Sequence, residues 1–251
     1  MDDAQLLRYS RHILLTEFGP DAQHSFGAAH VLIVGVGGLG APAAHFLGAA
    51  GVGRLTVCDA DHVDLTNLQR QLLYATADIG RAKVDAAAAR LAAINDEVEV
   101  ERIAARVGPA ELVALVGAAD VVLDCSDNFV TRHAINRACV GARKPLVSGA
   151  ALRFDGQVAV FDVRDPASPC YHCLFGEGDE IEETRCATMG VFAPLTGIVG
   201  ATQAAEALKL IAGAGTTLVG RLLLLDALAM QWREVRVPRD PSCPVCSDRP
   251  R

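Results

Sequence analysis

Residues Val31 to Gly40 read V-L-I-V-G-V-G-G-L-G. An apolar run feeds a G-x-G-x-x-G turn at Gly35, Gly37 and Gly40, and the stretch after it, Ala41 to Gly53, contains no Asp, Glu, Lys or Arg. A buried strand, a tight turn and a helix packed on a sheet give this pattern. Glycine at Gly35, Gly37, Gly38 and Gly40 lets the backbone turn sharply and approach a phosphate. The helix start then presents open N–H groups and a positive dipole end. A second apolar strand, Leu55 to Cys58, ends at Asp59, where a carboxylate can accept hydrogen bonds from a ribose. The competing reading is a ligand-free packing turn. A P-loop is excluded, because no G-K-S or G-K-T follows.

Outward from this turn, strands and helices alternate through about residue 150. The pattern predicts an N-terminal helix from Asp3 to Leu15, broken by Gly19-Pro20, and a helix from Lys83 to Ile94 with Val84, Ala87, Ala88 and Leu91 on one face. An alternating strand follows from Val98 to Ile103. Pro109 suits the first turn of another helix. Val121 to Leu123 is a buried strand leading into Asp124–Asp127, a helix runs from Phe129 to Val140, and Pro145 to Ala150 begins a further strand. After Gly156, Gln157 to Val163 and Leu222 to Asp226 read as strands paired antiparallel, with a helix after Pro194 between them. The expected fold is α/β: a Rossmann-like, doubly wound, mostly parallel sheet with antiparallel C-terminal strands. One unit over 1–251 divides into an N-terminal helical arm (1–29), a nucleotide-binding βα core (30–155) and a last part (156–251).

Composition narrows the function classes. The chain is 51% hydrophobic with few aromatics and carries a net charge of −7, its Lys and Arg scattered. A nucleic-acid binder would show a basic face, so no nucleic-acid partner is expected. The start, M-D-D-A-Q-L-L-R, is no signal peptide. The longest apolar candidate, Gly190 to Gly213, is interrupted by Gln203, Glu206 and Lys209 at helical spacing, which fits a core helix with one polar stripe. No membrane association is expected, and the cytoplasm is the expected location.

Eight cysteines without a leader argue against a disulfide framework. Cys170/Cys173 and Cys243/Cys246 form two C-x-x-C pairs, and four thiolates complete a closed tetrahedral Zn²⁺ site whose role is stability. A redox dithiol is the alternative, but Pro169 and Pro244 mark turns instead. Cys58, Cys125 and Cys139 sit in apolar surroundings and read as small buried residues. The seven histidines show no metal spacing, and His172 inside C-Y-H-C reads as a residue bordering the zinc, with a spare ligand as the alternative. Cys186, in E-E-T-R-C-A-T-M-G, reads either as a loop thiol able to attack an activated acyl group or as an unreactive residue.

Alone, the glycine turn would suggest NAD and hydride transfer. Asn67 and Arg70 in N-L-Q-R-Q, Lys83 in G-R-A-K-V-D and Asp127 in D-C-S-D-N shift the reading. Two cations, an amide and a carboxylate suit ATP with its Mg²⁺ better than a nicotinamide. Asp127 also suits the cap of the helix that begins at Phe129.

R-Y-S-R-H-I-L-L, G-V-G-G-L-G, D-A-D-H-V-D-L-T-N-L-Q-R-Q, D-C-S-D-N and C-Y-H-C…C-P-V-C together resemble the bacterial MoeB/ThiF/HesA proteins, relatives of the ubiquitin-activating enzymes, from Arg8 to Cys246. The resemblance implies an adenylyltransferase acting on a ubiquitin-like sulfur carrier protein that ends in Gly-Gly. It would take Asp59 to the ribose, Asn67, Arg70 and Lys83 to the phosphates, and Asp127 to Mg²⁺. It places Arg11 in the partner subunit's site of a homodimer and makes Cys186 the family's loop cysteine, which bonds to the carrier in some members only. The 156–251 part would bind carrier and zinc. With no rhodanese-like domain after Arg251, sulfur would come from a separate donor protein. The molybdopterin synthase small subunit is the first expectation for the carrier and a ThiS-type thiamine carrier the alternative. A NAD-dependent oxidoreductase and a non-catalytic scaffold are the rival functions.

Overall fold

The protein is described here as a computed structural model covering residues 1–177 and 189–248. The elements in chain order are α1 (Asp3–Arg8), α2 (Ser10–Ile13), α3 (Gly19–Ala28), β1 (His30–Val34), α4 (Gly40–Ala49), β2 (Arg54–Cys58), α5 (Lys83–Ile94) and β3 (Glu99–Ile103). Then follow α6 (Pro109–Ala118), β4 (Val121–Asp124), α7 (Phe129–Ala142), β5 (Leu146–Leu152), β6 (Asp155–Phe161), α8 (Tyr171–Leu174), α9 (Ala193–Ala212), β7 (Arg221–Asp226) and β8 (Gln231–Arg236).

The strands form one sheet in the order β3-β2-β1-β4-β5-β6-β7-β8. The first five are parallel. The last three join antiparallel, as the change of sequence style after Gly156 led us to expect. Burial follows from position in this order. Central β4 is buried throughout, while neither edge strand, β3 or β8, has a buried residue. Parallel strands covered on both faces must be apolar on both, which is why β1 reads as a continuous hydrophobic run. Val31 and Ile33 face one core, beneath α4, α5 and α9; Leu32 and Val34 face the other, beneath α6 and α7. From β1 the chain moves outward to β2 on one side and returns to β4 on the other. The point between β1 and β4 is where doubly wound sheets open a crevice at their carboxyl ends.

Two expectations need correction. Gly19-Pro20 does not end a helix but opens α3, since proline is well suited to a first turn where its missing N–H goes unused. The segment from Asp3 to Leu15 is two short helices. Tyr9 interrupts it because its ring is buried against Gly51 and its hydroxyl sits between Asn95 (2.8 Å) and Glu97 (2.9 Å). The polar stripe of α9 is as expected: Gln203 and Glu206 are buried, and Glu206 accepts from the Leu218 amide at 2.8 Å. Among the described residues, no helix is long and apolar enough to cross a membrane.

Candidate active site

The glycine turn is built by contacts that admit no side chain at two positions. Gly35 has φ +90°, and a Cβ there would lie 2.7 Å from the carbonyl oxygen of Cys125. A Cβ on Gly40 would lie 1.9 Å from the Gly35 oxygen, so the turn and the first residue of α4 must touch backbone to backbone. Gly37 is different. Its nearest neighbour would be the Gln71 side chain at 3.6 Å, so no protein atom requires glycine there. Among the described residues, the amides of Gly37 and Gly38 donate no hydrogen bond. Open donors beside a space that a Cβ would fill, at the start of a helix, are what an anion needs.

Asp59 reaches the same turn. Its carboxylate accepts from the amides of Val36 and Asp61, both at 2.9 Å. A carboxylate has about four acceptor sites, so two remain for the hydroxyls of a ribose. Sequence reading missed Tyr74, whose buried hydroxyl donates to the Val36 carbonyl at 2.7 Å and braces the turn from the far side. Burial, then the nearby charges of Asp59 and Asp61, hold its pKa well above the ordinary range, so it remains a donor.

Lys83 begins α5 with its side chain buried and its ammonium 2.8 Å from the exposed carboxylate of Asp61. Two of its three N–H donors remain for another partner. Arg70 donates to the Thr66 carbonyl at 3.0 Å, and Asn67 lies in the short 3-10 turn Leu65–Asn67 preceding it. Thr196, near the start of α9, ties this loop to the glycine turn. Its hydroxyl lies 3.5 Å from the Arg70 carbonyl, and its side chain lies 3.2 Å from where a Gly38 Cβ would be.

Asp127 is exposed at the end of β4. It does not cap α7. Asn128 does, accepting from the Thr131 amide at 2.9 Å, because it is the residue whose extended backbone aims its side chain at the first turn. Beneath Asp127 lies a buried network that the sequence did not announce. Asp124 accepts from the Ser126 amide (3.0 Å), the Ser126 hydroxyl (2.6 Å) and the Ser148 hydroxyl (3.0 Å). Arg132 donates to the carbonyls of Ser126 (2.6 Å) and Gly149 (3.0 Å), and Gln203 to that of Asp124 (2.9 Å). The one available signal was an Arg on the buried face of α7.

The four cysteines of the paired motifs come together across 73 residues of chain. Their sulfurs lie 3.9 Å (Cys170–Cys173), 3.7 Å (Cys170–Cys243) and 3.5 Å (Cys173–Cys246) apart. A tetrahedral Zn²⁺ with Zn–S bonds of about 2.3 Å sets its sulfurs about 3.8 Å apart, so the cluster fits that ion. The Cys173 thiol is pushed well below the ordinary range, first because the Cys170 thiol donates to it. Cys58, Cys125 and Cys139 are buried and free, and burial raises all three thiols, Cys58 to about 12. They are inert packing residues, as expected.

Cys186 lies outside the described residues. Arg11 is exposed on α2, and among the described residues no hydrogen bond or ion pair joins it to the glycine turn of its own chain. The arm is anchored through Tyr9 at Gly51 and Asn95, beyond the far ends of α4 and α5. One grouping was not foreseen: His133, His172 and Glu177 converge beside the cysteine cluster.

A model of the ThiF family matches residues 9–245 of this chain. A molybdopterin-synthase adenylyltransferase from Escherichia coli is 44% identical over 249 residues, covering 98% of each chain. A sulfur carrier protein ThiS adenylyltransferase from the same organism is 43% identical, covering 98% of this chain and 97% of its own. Among solved structures, Escherichia coli MccB crystallised with ATP superposes with a TM-score of 0.83 at 25% identity, covering 95% of this chain and 74% of that one.

Proposed function

The chain belongs to the ThiF family, and from that premise we propose that it adenylates the C-terminal glycine of a ubiquitin-like sulfur carrier protein, consuming ATP and releasing pyrophosphate. One observation carries the reading. The open amides of Gly37 and Gly38, Asp59, the Arg70 loop, the Lys83 ammonium and the exposed Asp127 all lie at one carboxyl edge of the sheet. That set offers donors and cations to phosphates on one side and a carboxylate to a divalent ion on the other.

In the step, a carboxylate oxygen of the carrier's terminal glycine attacks the α-phosphorus. The new acyl–phosphate bond forms as the bond from that phosphorus to the bridging oxygen breaks, and pyrophosphate leaves with the electron pair. No base is required, because a terminal carboxyl is ionised near neutral pH. The protein therefore works by alignment and charge. Asp59 holds the ribose, the Gly37 and Gly38 amides receive phosphate oxygens, and Asn67, Arg70 and Lys83 neutralise the departing pyrophosphate. We assign Asp127 to hold Mg²⁺, which would shield phosphate charge there. Tyr9, two residues before Arg11, is anchored beyond the far end of α4, which supports a homodimer in which Arg11 serves the partner's site. A Zn²⁺ in the four-cysteine cluster fixes the 237–248 tail onto the turn at Cys170–Cys173.

Between carriers, the molybdopterin synthase small subunit is our first assignment and a ThiS-type carrier the second. The test is exchange of labelled pyrophosphate into ATP with each carrier added separately. Exchange that needs a carrier, stronger with the molybdopterin one, is the expected result. Exchange with ThiS alone moves the pathway to thiamine, and no exchange with either overturns the function.

A further inference from the structure

Beside the cysteine cluster, α6 and α7 leave a groove of about 520 Å³, lined by Val113, Val130, His133, Ala134, Arg137 and Glu177. His133 comes from the buried face of α7, His172 from the turn between Cys170 and Cys173, and Glu177 from just past α8. One ligand atom from each lies within 4.8 Å of the other two, and Nδ1 of His133 is 3.9 Å from Oε1 of Glu177. The two imidazoles meet edge to face with centroids 5.6 Å apart. Nδ1 of His172 is buried and has no hydrogen-bond partner among the described residues. A buried polar nitrogen left in that state costs about 1–3 kcal/mol, so the arrangement needs something to take up its lone pair or proton.

We propose that His133, His172 and Glu177 form a second metal site, for a divalent first-row transition ion of the zinc class, separate from the four-cysteine cluster. Two imidazole nitrogens and one carboxylate oxygen select such an ion over Mg²⁺ or Ca²⁺, which take oxygen ligands. Three protein ligands leave a coordination position open, unlike the closed sulfur site next door. Arg137 pairs with the Glu177 carboxylate from the neighbouring turn of α7. Outer partners of this kind commonly orient a ligating carboxylate. The ion would tie α7 to the residue that leads into the 178–188 stretch. The inference stands apart from the adenylation reading.

Co²⁺ is the probe. Added to the full-length protein as isolated, with zinc retained by the cysteines, it should bind at one equivalent. The visible ligand-field bands that appear should lack the intense near-ultraviolet charge transfer that sulfur ligation produces, and Zn²⁺ should displace them. His133→Ala should weaken this binding at least about tenfold while thermal unfolding stays that of the parent. If His133→Ala unfolds, Glu177→Gln, whose side chain is exposed, carries the test with the same expected weakening. Absence of Co²⁺ binding, sulfur charge transfer in the new bands, or binding unchanged in the folded variant overturns the proposal.

Discussion

The carboxyl edge of β1, β2 and β4 and the cysteine cluster beyond β6 both bring distant residues together, but they are finished differently. At the cysteine cluster four protein sulfurs face one another, three of the four cysteines are buried, and a zinc ion held there would have no open position. At the carboxyl edge the protein stops short. Among the described residues Gly37 and Gly38 keep amides without partners, Asp127 stays exposed, and the Lys83 ammonium has donors to spare. A closed set can contribute stability alone, whereas an open set can act on what enters it. Damage should separate accordingly, with activity lost at one region and stability at the other.

The largest effect should come from Arg70→Ala, and Asp127→Ala should follow it. Each should lower carrier-dependent pyrophosphate exchange by roughly 10²–10³-fold, as loss of one charge-stabilising group does. Thermal unfolding should hardly move, because among the described residues the Arg70 guanidinium has one hydrogen bond, to the Thr66 carbonyl, and Asp127 accepts only from Asn128. A parallel fall in Tm would break the separation.

Cys243→Ser should do the reverse. Losing a structural metal ligand costs on the order of 3 kcal/mol, which lowers Tm by roughly 6–12 °C for a chain of this size. Per folded molecule, as counted by circular dichroism, exchange should remain near that of the parent. Chelation of zinc should give the same shift.

A pair of glycine substitutions sharpens the contrast inside the turn itself. Gly40→Ala must push the Gly35 carbonyl aside, so stability and ATP affinity should fall together. Gly37→Ala meets only ordinary contact with Gln71, so calorimetry should register weaker ATP binding with Tm unchanged. Equal effects in the two variants would mean that the space at Gly37 is not where phosphate sits.

The smallest effect belongs to neither region. Glu101, on edge strand β3, accepts from the Thr56 hydroxyl (2.9 Å), which lowers its pKa most, and from Arg54 (2.9 Å). A carboxyl depressed in the folded state adds stability above its unfolded value, and this is lost as pH falls through the folded one. The side chain is 40% exposed, so Glu101→Gln should flatten the acid limb of Tm against pH by at most a few tenths of a kcal/mol.

How far the sequence could be read depended on which interaction decided each part. The G-x-G-x-x-G turn and the continuous apolar runs of β1, β2 and β4 were legible, because local sterics and two-sided burial write themselves into residue type. So was the cysteine site, whose ligands are a spacing pattern. Strand β8 was not: Gln231–Arg236 has no buried residue, and pairing with β7 alone makes it a strand. The helix at Gly19-Pro20 was misread because the same two residues close one helix or open another. The supports of the site were hidden for a different reason. Tyr74 and Arg132 act through partners 16 or more residues away or through backbone atoms, and Asp124 joins the Ser126 hydroxyl beside it to the distant Ser148, so none of the three leaves a legible motif. His133 and His172 lie on separate helices, so their meeting was invisible as well.

The most direct test of the central claim follows the phosphorus. The protein is mixed with Mg²⁺, a carrier ending in Gly-Gly, and ATP labelled in separate samples at the α- or the γ-phosphate, and the carrier is then isolated and counted. Label from the α-position on the carrier, with pyrophosphate as the released product, is the predicted result. Label from the γ-position on the carrier, with ADP formed, would contradict it.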